Sequence, residues 1–412
     1  MPRALLLLTL LATTAAITRA QWTLHDAHTT ADLRGIDNVG HGVAWASGTD
    51  GTILRTEDAG IVWQLCAKPP NGEHLDFRAI QAFDNSTAII MSSGKGDLSR
   101  LYKTTDGCQS WHLLFTNPDK DGFWDALQFE QPTNRVAHPL ASPKGGVSRV
   151  KTREPDHLVG RILGDPVNRR FVLFATFDGG LHWTRDDGKG IAVPAHAGVF
   201  AASNSSLLIL ANGPEIPVGP PLPPPPPGSH RTNRYDMATL RLVCFVTGGE
   251  GGAQFFVRQP DQMYDIKLNP EWRSFPLPLG NGTDSSGAFS IALIEHHRGV
   301  VVGGDYLKPT IRTRTAAFIS PTTKHWHPAT TPPHGFRSAV AYDTTTSTWI
   351  TVGPNGTDIS TDDGRNWHAL HPDPKFNDTP DADQHWNALS LPYAVGPHGR
   401  IATLRPSALP SK

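Results

Sequence analysis

One eight-residue phrase recurs along this chain and constrains its fold more than any other feature. It reads Ser or Thr, any residue, Asp, any residue, Gly, any two residues, Trp, and it stands at residues 56–63, 176–183 and 360–367. A fourth copy at 104–111 carries its Gly one position early. Four such phrases in 412 residues indicate a repeated structural unit.

The residue types of the phrase suit a tight turn. Asp and Ser/Thr side chains hydrogen-bond the backbone of their own turn, and Gly supplies a positive φ. Trp packs as a large apolar wedge. Because strand-like residues precede every copy, the phrase predicts the hairpin turn between the third and fourth strands of a repeat. Its residues are then structural rather than catalytic: Asp58, Gly60, Trp63, Asp106, Trp111, Asp178, Gly180, Trp183, Asp362, Gly364 and Trp367.

Two weaker patterns repeat in step with the phrase. An apolar strand ending in small residues occurs seven times, at 43–48, 88–94, 161–165, 207–213, 300–305, 349–353 and 393–396. Ahead of each lies a short segment of small and apolar residues, aligned on Arg34, Arg78, Asp125, Ala197, Phe289, Arg337 and Asn387. Seven units of four strands predict an all-β fold, a seven-bladed β-propeller of four-stranded antiparallel blades.

The last repeat, 386–404, has three strands and lacks the phrase. Residues 21–25 can supply its missing outer strand, so we expect the N-terminal strand to close the last blade and remove the open edge. Residues 21–412 then form a single propeller. Insertions are expected near 131–155 and 214–234, where polar and Pro-rich residues interrupt the repeat.

The first 20 residues predict an export signal. Arg3 provides a basic start, residues 4–17 are apolar, and small residues precede Gln21 at the expected cleavage site. The apolar stretch is short for a transmembrane helix, and no other segment suits a membrane span. We therefore expect an exported protein, periplasmic or secreted, that is a monomer.

Composition excludes several classes of function. Lys and Arg number 37 against 38 Asp and Glu, and a nucleic-acid-binding groove normally needs a basic excess. Three Cys residues cannot build a disulfide scaffold. Cys66 and Cys108 lie in or beside phrases of neighbouring repeats, and their pairing is left open. No spacing of ligating residues predicts a metal site, and no motif predicts a cofactor.

The residues that begin the inner strands are candidates for a binding site at the channel mouth. Ring closure brings Arg337, Asn387, Arg34, Arg78 and Asp125 onto one arc, and three guanidiniums there can hold a carboxylate or phosphate. The alternative is a wet channel with polar walls, some of them paired as Arg–Asp. On the same rim we expect Asp305 and Tyr306, together with Asp50, Asp97, Asp165, Asn355 and His398.

The eight-residue phrase resembles the Asp-box, or BNR, repeat. The whole chain after residue 20 resembles the exported YVTN/BNR-type proteins called photosystem II stability/assembly factor-like. That resemblance implies a seven-bladed propeller with an arginine patch that acts as a binding or assembly factor and not as an enzyme. The expected partner is a protein, or an acidic glycan or other carboxylate ligand, bound by Arg34, Arg78 and Arg337.

Asp-box propellers also include sialidase-type glycoside hydrolases, which are the alternative. Those enzymes use an arginine triad, a Tyr–Glu nucleophile and an acidic Asp. Tyr306 is the best candidate for the tyrosine, with Glu295 about one strand away. The Phe-Arg-Ile-Pro phrase of such enzymes is absent, because the residues after Arg78 and Arg337 include no Pro at that place.

Overall fold

The protein, seen here as a computed structural model, is built almost entirely of β-strands, and no α-helix occurs among the residues described. Short 3-10 segments lie at Gly96–Leu98 and Pro406–Ala408. The expected signal at 1–20, the insertion at 131–155 and most of that at 214–234 fall outside the described part. The structure describes residues 21–130, 158–186, 191, 193–210, 215–218, 236–239, 242–258, 272–280, 282–295, 298–320, 322–374 and 378–410.

Four antiparallel sheets have four strands each, arranged in chain order. The second and third strands of each sheet are mostly buried, whereas the short fourth strands are largely exposed. The strands are β2 Leu33–Gly40, β3 Val43–Gly48, β4 Ile53–Thr56 and β5 Gln64–Leu65; β6 Phe77–Ala82, β7 Ala88–Ser92, β8 Arg100–Thr104 and β9 His112–Thr116; β10 Trp124–Phe129, β11 Gly160–Val167, β12 Arg170–Thr176 and β13 Thr184–Arg185; β25 Ala339–Asp343, β26 Thr348–Gly353, β27 Gly356–Ser360 and β28 His368–Ala369.

A fifth four-stranded sheet contains residues from both ends of the described chain. Its order is β1-β31-β30-β29, with Trp22 opposite Leu404. Trp22 is buried and packs on Trp386 with ring centroids 5.1 Å apart. The strands are β1 Trp22–His25, β29 Ala388–Ser390, β30 Tyr393–Val395 and β31 Ile401–Leu404.

The remaining long sheet has nine strands. A single pair, Gly248 opposite Gly287, joins its two halves, and a Cβ on Gly248 would lie 2.7 Å from the Cα of Gly287. A separate hairpin pairs β16 with β17. The strands are β14 Ala197–Gly198, β15 Leu207–Leu210, β18 Leu242–Gly249, β19 Gln254–Arg258, β20 Trp272–Pro276, β21 Ser286–Glu295, β22 Arg298–Asp305, β23 Ala316–Ile319 and β24 Trp326–Pro328, with β16 Glu215–Val218 and β17 Asp236–Thr239 in the hairpin.

One strand assignment from the sequence is wrong. Residues 207–213 were expected to contain the second strand of their repeat. In the structure, β14 and β15 both pair with the same edge of β18, so they form a broken first strand and β18 is the second. The apolar run of β15 fits either position, because both are buried. The hairpin of β16 and β17 accordingly lies between the first and second strands.

The phrase forms the same hydrogen-bonded turn in all four copies. In the first, the Thr56 hydroxyl donates to Asp58 at 2.8 Å and accepts from the N–H of Gly60 at 3.0 Å. Asp58 also accepts from the N–H of Val62 at 2.9 Å. In the fourth copy, the N–H of Cys108 takes the place of the usual Gly N–H, and both central residues there have positive φ.

Of the seven core clusters among the described residues, six are shared by two neighbouring sheets, and the seventh is shared by the two halves of the nine-stranded sheet. One cluster joins the β2–β5 sheet to the β6–β9 sheet through Trp45, Ile80 and Trp111, and another joins the last sheet back to the first through Tyr393 and Leu54. The clusters between them continue the series around the molecule. The hydrophobic clusters therefore join each sheet to its neighbours in one continuous series.

A disulfide joins the first two sheets. Cys66 and Cys108 are bonded, with Cα atoms 5.4 Å apart and 42 residues apart in sequence. Cys108 lies inside a turn phrase and Cys66 follows another. The pairing left open by the sequence is therefore formed in the structure. The remaining cysteine, Cys244, is buried in β18.

Candidate functional site

A β-bulge occurs at the same place on four inner strands. The pairing register shifts between Leu33 and Gly35 in β2, and equivalent shifts occur in β6, β10 and β21. A bulge leaves one residue out of the ladder and redirects its side chain. The residues left out are Arg34, Arg78, Asp125 and Phe289, and all four line one cavity of about 460 Å³, which we call the mouth cavity.

The mouth cavity has a basic wall and an aromatic wall. Arg34 and Arg78 form the first, and the ring of Phe123 lies 5.9 Å below the Arg78 guanidinium. Across the cavity Phe200 and Phe289 stack with centroids 3.8 Å apart, and Tyr306 lies edge-on to both. A ligand that is anionic at one end and flat or apolar at the other matches these two walls.

The two arginines differ in how far their charges are compensated. The Nε of Arg78 donates to Asp76 at 2.8 Å. Arg34 lies 3.7 Å from Asp32 and 3.8 Å from Asp76, beyond hydrogen-bond distance, and its buried Nε has no hydrogen-bond partner among the described residues. Arg34 is therefore a partly exposed guanidinium that lies at ion-pair distance from two carboxylates and has no hydrogen bond at its Nε among the described residues.

Asp125 and Asp165 add two carboxyl groups to the same cavity. Asp125 is 2% exposed, and its Oδ2 has no partner in the described part of the chain. Burial and then the nearby charge of Asp165 raise the pKa of Asp125 well above its usual range, against the opposing charge of Arg78. Burial also raises the pKa of Asp165, which accepts from the N–H of Val199 at 2.9 Å.

Arg337 does not join the other two arginines, and the expected trio is corrected to a pair. Its side chain is completely buried and does not line the mouth cavity. Its Nε donates to Asp358 at 2.8 Å and its Nη1 to Asn355 at 2.7 Å. Its bulged counterparts face the cavity, whereas Arg337 precedes its strand and turns into the sheet.

The Arg337 network supports the cavity from behind. Asn355 donates to the carbonyl of Pro309 at 3.1 Å, and Phe336 donates to the same carbonyl at 2.9 Å. Pro309 belongs to the loop that carries Tyr306, a residue of the aromatic wall. Arg337 is thus a positioning residue for the rim, held there by a buried ion pair with Asp358.

The other residues expected at the site are distributed unevenly. Asn387 and Tyr306 line the mouth cavity, and Asn387 also donates to the carbonyl of Leu33 at 2.8 Å. Asp305 lies beside the cavity but accepts from Ser285 and from the N–H of Leu307, so it stabilises the rim loop. The cavity lining includes Asp165 and excludes Asp50, Asp97, Asn355 and His398. The side chain of Glu295 lies outside the described part.

Sequence reasoning missed Asp76 and Phe200. A signal for Asp76 was present, because Asp32-Leu33-Arg34 and Asp76-Phe77-Arg78 repeat the same spacing in two neighbouring repeats. No signal marked Phe200, since the inner strand of its repeat is broken and the alignment placed Ala197 at the cavity instead.

Neither a metal site nor a membrane segment is found in the described residues. Among them, no group of three or more His, Cys, Asp or Glu side chains is arranged to hold a metal ion. The same residues contain no helix of the length and apolar character needed to span a membrane.

Comparison with known proteins identifies the fold. No family model matches the chain, and no curated protein matches its sequence. Solved β-propellers do match in structure. YCF48 bound to D1 peptide has a TM-score of 0.53 at 14% identity, covering 94% of this chain and 98% of that one. YCF48 from Cyanidioschyzon merolae gives the same score and identity over 94% and 100%.

An enzyme is also among the similar structures. The GH74 xyloglucanase from Xanthomonas campestris has a TM-score of 0.52 at 15% identity, covering 95% of this chain and 55% of the enzyme. At such identities the likeness shows the fold alone. The protein is a β-propeller, and its function must be argued from the mouth cavity.

Proposed function

We propose that this protein is an exported, non-catalytic propeller that binds a carboxylate-bearing segment of a protein partner in its mouth cavity. The observation that carries the proposal is the pair of guanidiniums, Arg34 and Arg78, in the lining of one cavity, of which Arg34 has no hydrogen bond at its Nε among the described residues. Two adjacent guanidiniums favour a carboxylate, which can accept from both.

The aromatic wall favours a protein segment over an acidic glycan. Leu307 is 70% exposed and Ile311 is 45% exposed on the loop that follows Tyr306. Exposed aliphatic residues beside a pocket are typical of surfaces that receive apolar side chains. YCF48, which shares the fold, has been solved with a peptide bound. A segment with an apolar residue next to an acidic one fits both walls.

The test uses residues 21–412 and a fluorescent, end-blocked tetrapeptide with adjacent phenylalanine and glutamate, followed by anisotropy. We expect Arg34→Ala with Arg78→Ala to weaken binding at least tenfold. The matched control, Arg273→Ala with Arg365→Ala, removes the same charge elsewhere and should change binding less than twofold. Equal losses in the two variants, or tight binding of a peptide with glutamine in place of glutamate, would contradict the proposal. Binding of a glucuronate oligosaccharide but not the peptide would assign the site to a glycan instead.

We further propose that the propeller has seven blades of the Asp-box type. The nine-stranded sheet then counts as two blades, since one residue pair joins its halves, and the sheet of β29–β31 with β1 is the seventh. Deleting residues 21–26 should sharply lower the melting temperature, because it removes Trp22 and a whole strand. Leu24→Ala, on the exposed face of the same strand, should have little effect.

We also propose export, with cleavage before Gln21. The disulfide between Cys66 and Cys108 supports it, since such bonds persist in oxidising compartments. The secreted or periplasmic fraction of the expressing cell should contain a chain whose N-terminal sequence starts at Gln21. An intact N-terminus on a cytoplasmic protein would refute this part.

A further inference from the structure

Asp125 is the one fully buried acid that lines the mouth cavity, and its carboxyl lacks a complete set of partners. Its Oδ2 is shielded from solvent and has no hydrogen bond among the described residues. An unsatisfied buried polar atom destabilises the fold, so native structures seldom keep one without a reason. Its place at a bulge beside Arg78 turns it toward the ligand space rather than into the ladder.

The charged groups around Asp125 come from three strands. Asp165 on β11 and Arg78 on β6 both act on it electrostatically. Arg34 on β2 and Tyr306 on the rim loop complete the titratable lining of the cavity. Two carboxyl groups in one low-dielectric site disfavour a state in which both are ionised. The carboxyl pair therefore keeps a proton more readily than an exposed aspartate does.

We propose that Asp125 is a third ligand contact, a carboxylic acid that donates a hydrogen bond to the anion held by Arg34 and Arg78. This inference rests on the proposed function and adds a donor that carries no charge. No covalent bond changes. The proton stays on Asp125, and the bound anion accepts the hydrogen bond that Asp125 cannot make in the free protein. The site then selects oxyanions, which accept from acid and guanidinium together, over amides and cations.

Proton coupling follows from this arrangement. A bound anion beside Asp125 makes ionisation of the carboxyl pair still less favourable, so the complex holds its proton more tightly than the free protein does. Binding must therefore take up protons, and affinity must fall as the pH rises through the range in which the pair ionises. One coupled proton limits the fall to about tenfold per pH unit.

The experiment measures the dissociation constant of the same tetrapeptide from pH 5 to 8. The peptide carboxylate stays ionised there, since a free glutamate has a pKa of about 4.3. For the unsubstituted protein we expect affinity to fall with pH, with proton uptake visible by calorimetry in buffers of different ionisation enthalpy. Asp125→Asn keeps a donor and removes the titration. Its affinity should not change between pH 5 and pH 8, and its binding should take up no proton. Asp165→Asn should move the fall in affinity to lower pH without removing it, because burial still raises the pKa of Asp125 when the charge of Asp165 is gone.

The outcomes separate this inference from the proposed function. A pH-independent affinity in the unsubstituted protein, or a profile that Asp125→Asn leaves unchanged, would overturn the role of Asp125 while the arginine result stands. Proton release on binding would also overturn it, because Asp125 would then lose its proton when the anion binds. If Arg34→Ala with Arg78→Ala binds normally, the proposed function itself fails.

Discussion

The Nε of Arg34 and the Oδ1 of Asp76 lie 3.8 Å apart, and each lacks a hydrogen bond within the described part of the chain. The other oxygen of Asp76 accepts from Arg78 at 2.8 Å. The Asp76 carboxylate thus lies between two guanidiniums. It is hydrogen-bonded to Arg78 and too far from Arg34 for a hydrogen bond. Under the proposed function, an anionic ligand in the mouth cavity competes with Asp76 for these two positive charges.

Asp76→Asn should strengthen binding of the acidic tetrapeptide several-fold, because it removes the competing negative charge and retains an acceptor for Arg78. The gain should be larger at low salt, where charge interactions are less screened. Anisotropy titrations at about 20 and 300 mM salt measure both effects. Asp97→Asn, at an exposed aspartate outside the cavity lining, is the control and should change little. Weaker binding in Asp76→Asn would mean that Asp76 mainly orients Arg78.

Arg337→Met should destabilise the fold by about 3–5 kcal/mol, because it leaves the buried Asp358 without its cation. Urea unfolding measures the loss. Adding Asp358→Leu should recover most of it, since the unpaired charge is then gone. If Arg337→Met abolished peptide binding at unchanged stability, Arg337 would be a ligand contact after all.

Stability should also depend on Asp358 through pH. Burial opposes its ionisation, but the hydrogen bond with His334 and the charge of Arg337 outweigh burial, so the pKa of Asp358 lies below its usual value. A carboxyl with a lowered folded-state pKa stabilises the protein above its unfolded pKa of about 4, and that contribution is lost as the pH falls further. Melting curves from pH 7 to 2 should show a smaller acid loss in Arg337→Met with Asp358→Leu than in the parent.

Asp125→Asn should make the protein more stable at neutral pH. The pKa of Asp125 is raised in the folded state, so between its unfolded pKa of about 4 and the higher folded value the native state binds more protons. The contribution of Asp125 to the free energy of unfolding therefore falls as the pH rises through that window. The melting temperature of Asp125→Asn should exceed that of the parent by a margin that grows above pH 4. A margin that shrinks with pH would contradict the raised pKa.

The turn phrases should affect stability and not binding. Asp362→Ala removes the acceptor of two hydrogen bonds from Asn366 and should cost about 1–3 kcal/mol. Trp367→Ala empties a buried site and should cost about 3–5 kcal/mol. Asp284→Ala, at an exposed aspartate, is the control for both. A loss of peptide affinity in folded Asp362→Ala would refute a purely structural role.

Removing the disulfide should cost about 2–4 kcal/mol, because the bond restricts the unfolded chain across 42 residues. Cys66→Ala with Cys108→Ala should melt at a lower temperature than the parent. A reductant should lower the melting temperature of the parent and leave the variant unchanged. Equal responses to reductant would show that the bond does not form in the folded protein.

The sequence predicted the β-propeller because its turns need a specific set of side chains, which recurs along the chain. Each phrase combines residues that satisfy a turn's own backbone, so pattern and hydrogen bonding agree, as in Thr176 and Asp178. The aligned inner positions also reached the cavity in most repeats, including Arg34 and Phe289. Local rules suffice there because bulge and turn are local structures.

The sequence-based predictions failed at positions whose conformation depends on tertiary contacts. Arg337 occupies the aligned position, but the buried Asp358 on a later strand draws its guanidinium into the sheet. Leu207–Leu210 has the composition of a second strand, and only pairing with Leu242–Phe245 shows it to be part of the first. Single-sequence patterns carry no information about which distant partner a side chain will meet.

The pairing of β1 with β31 sets a condition on the order of folding. Trp22 and Leu404 are opposite each other although 382 residues separate them, so their sheet has about the longest-range contact that the chain can make. Closing so long a loop is entropically costly before neighbouring sheets hold its ends together. During synthesis, β1 therefore has no strand partner until residues 401–404 have been made. A product that stops before residue 401 would leave β1 unpaired, and unpaired strands are prone to proteolysis and aggregation.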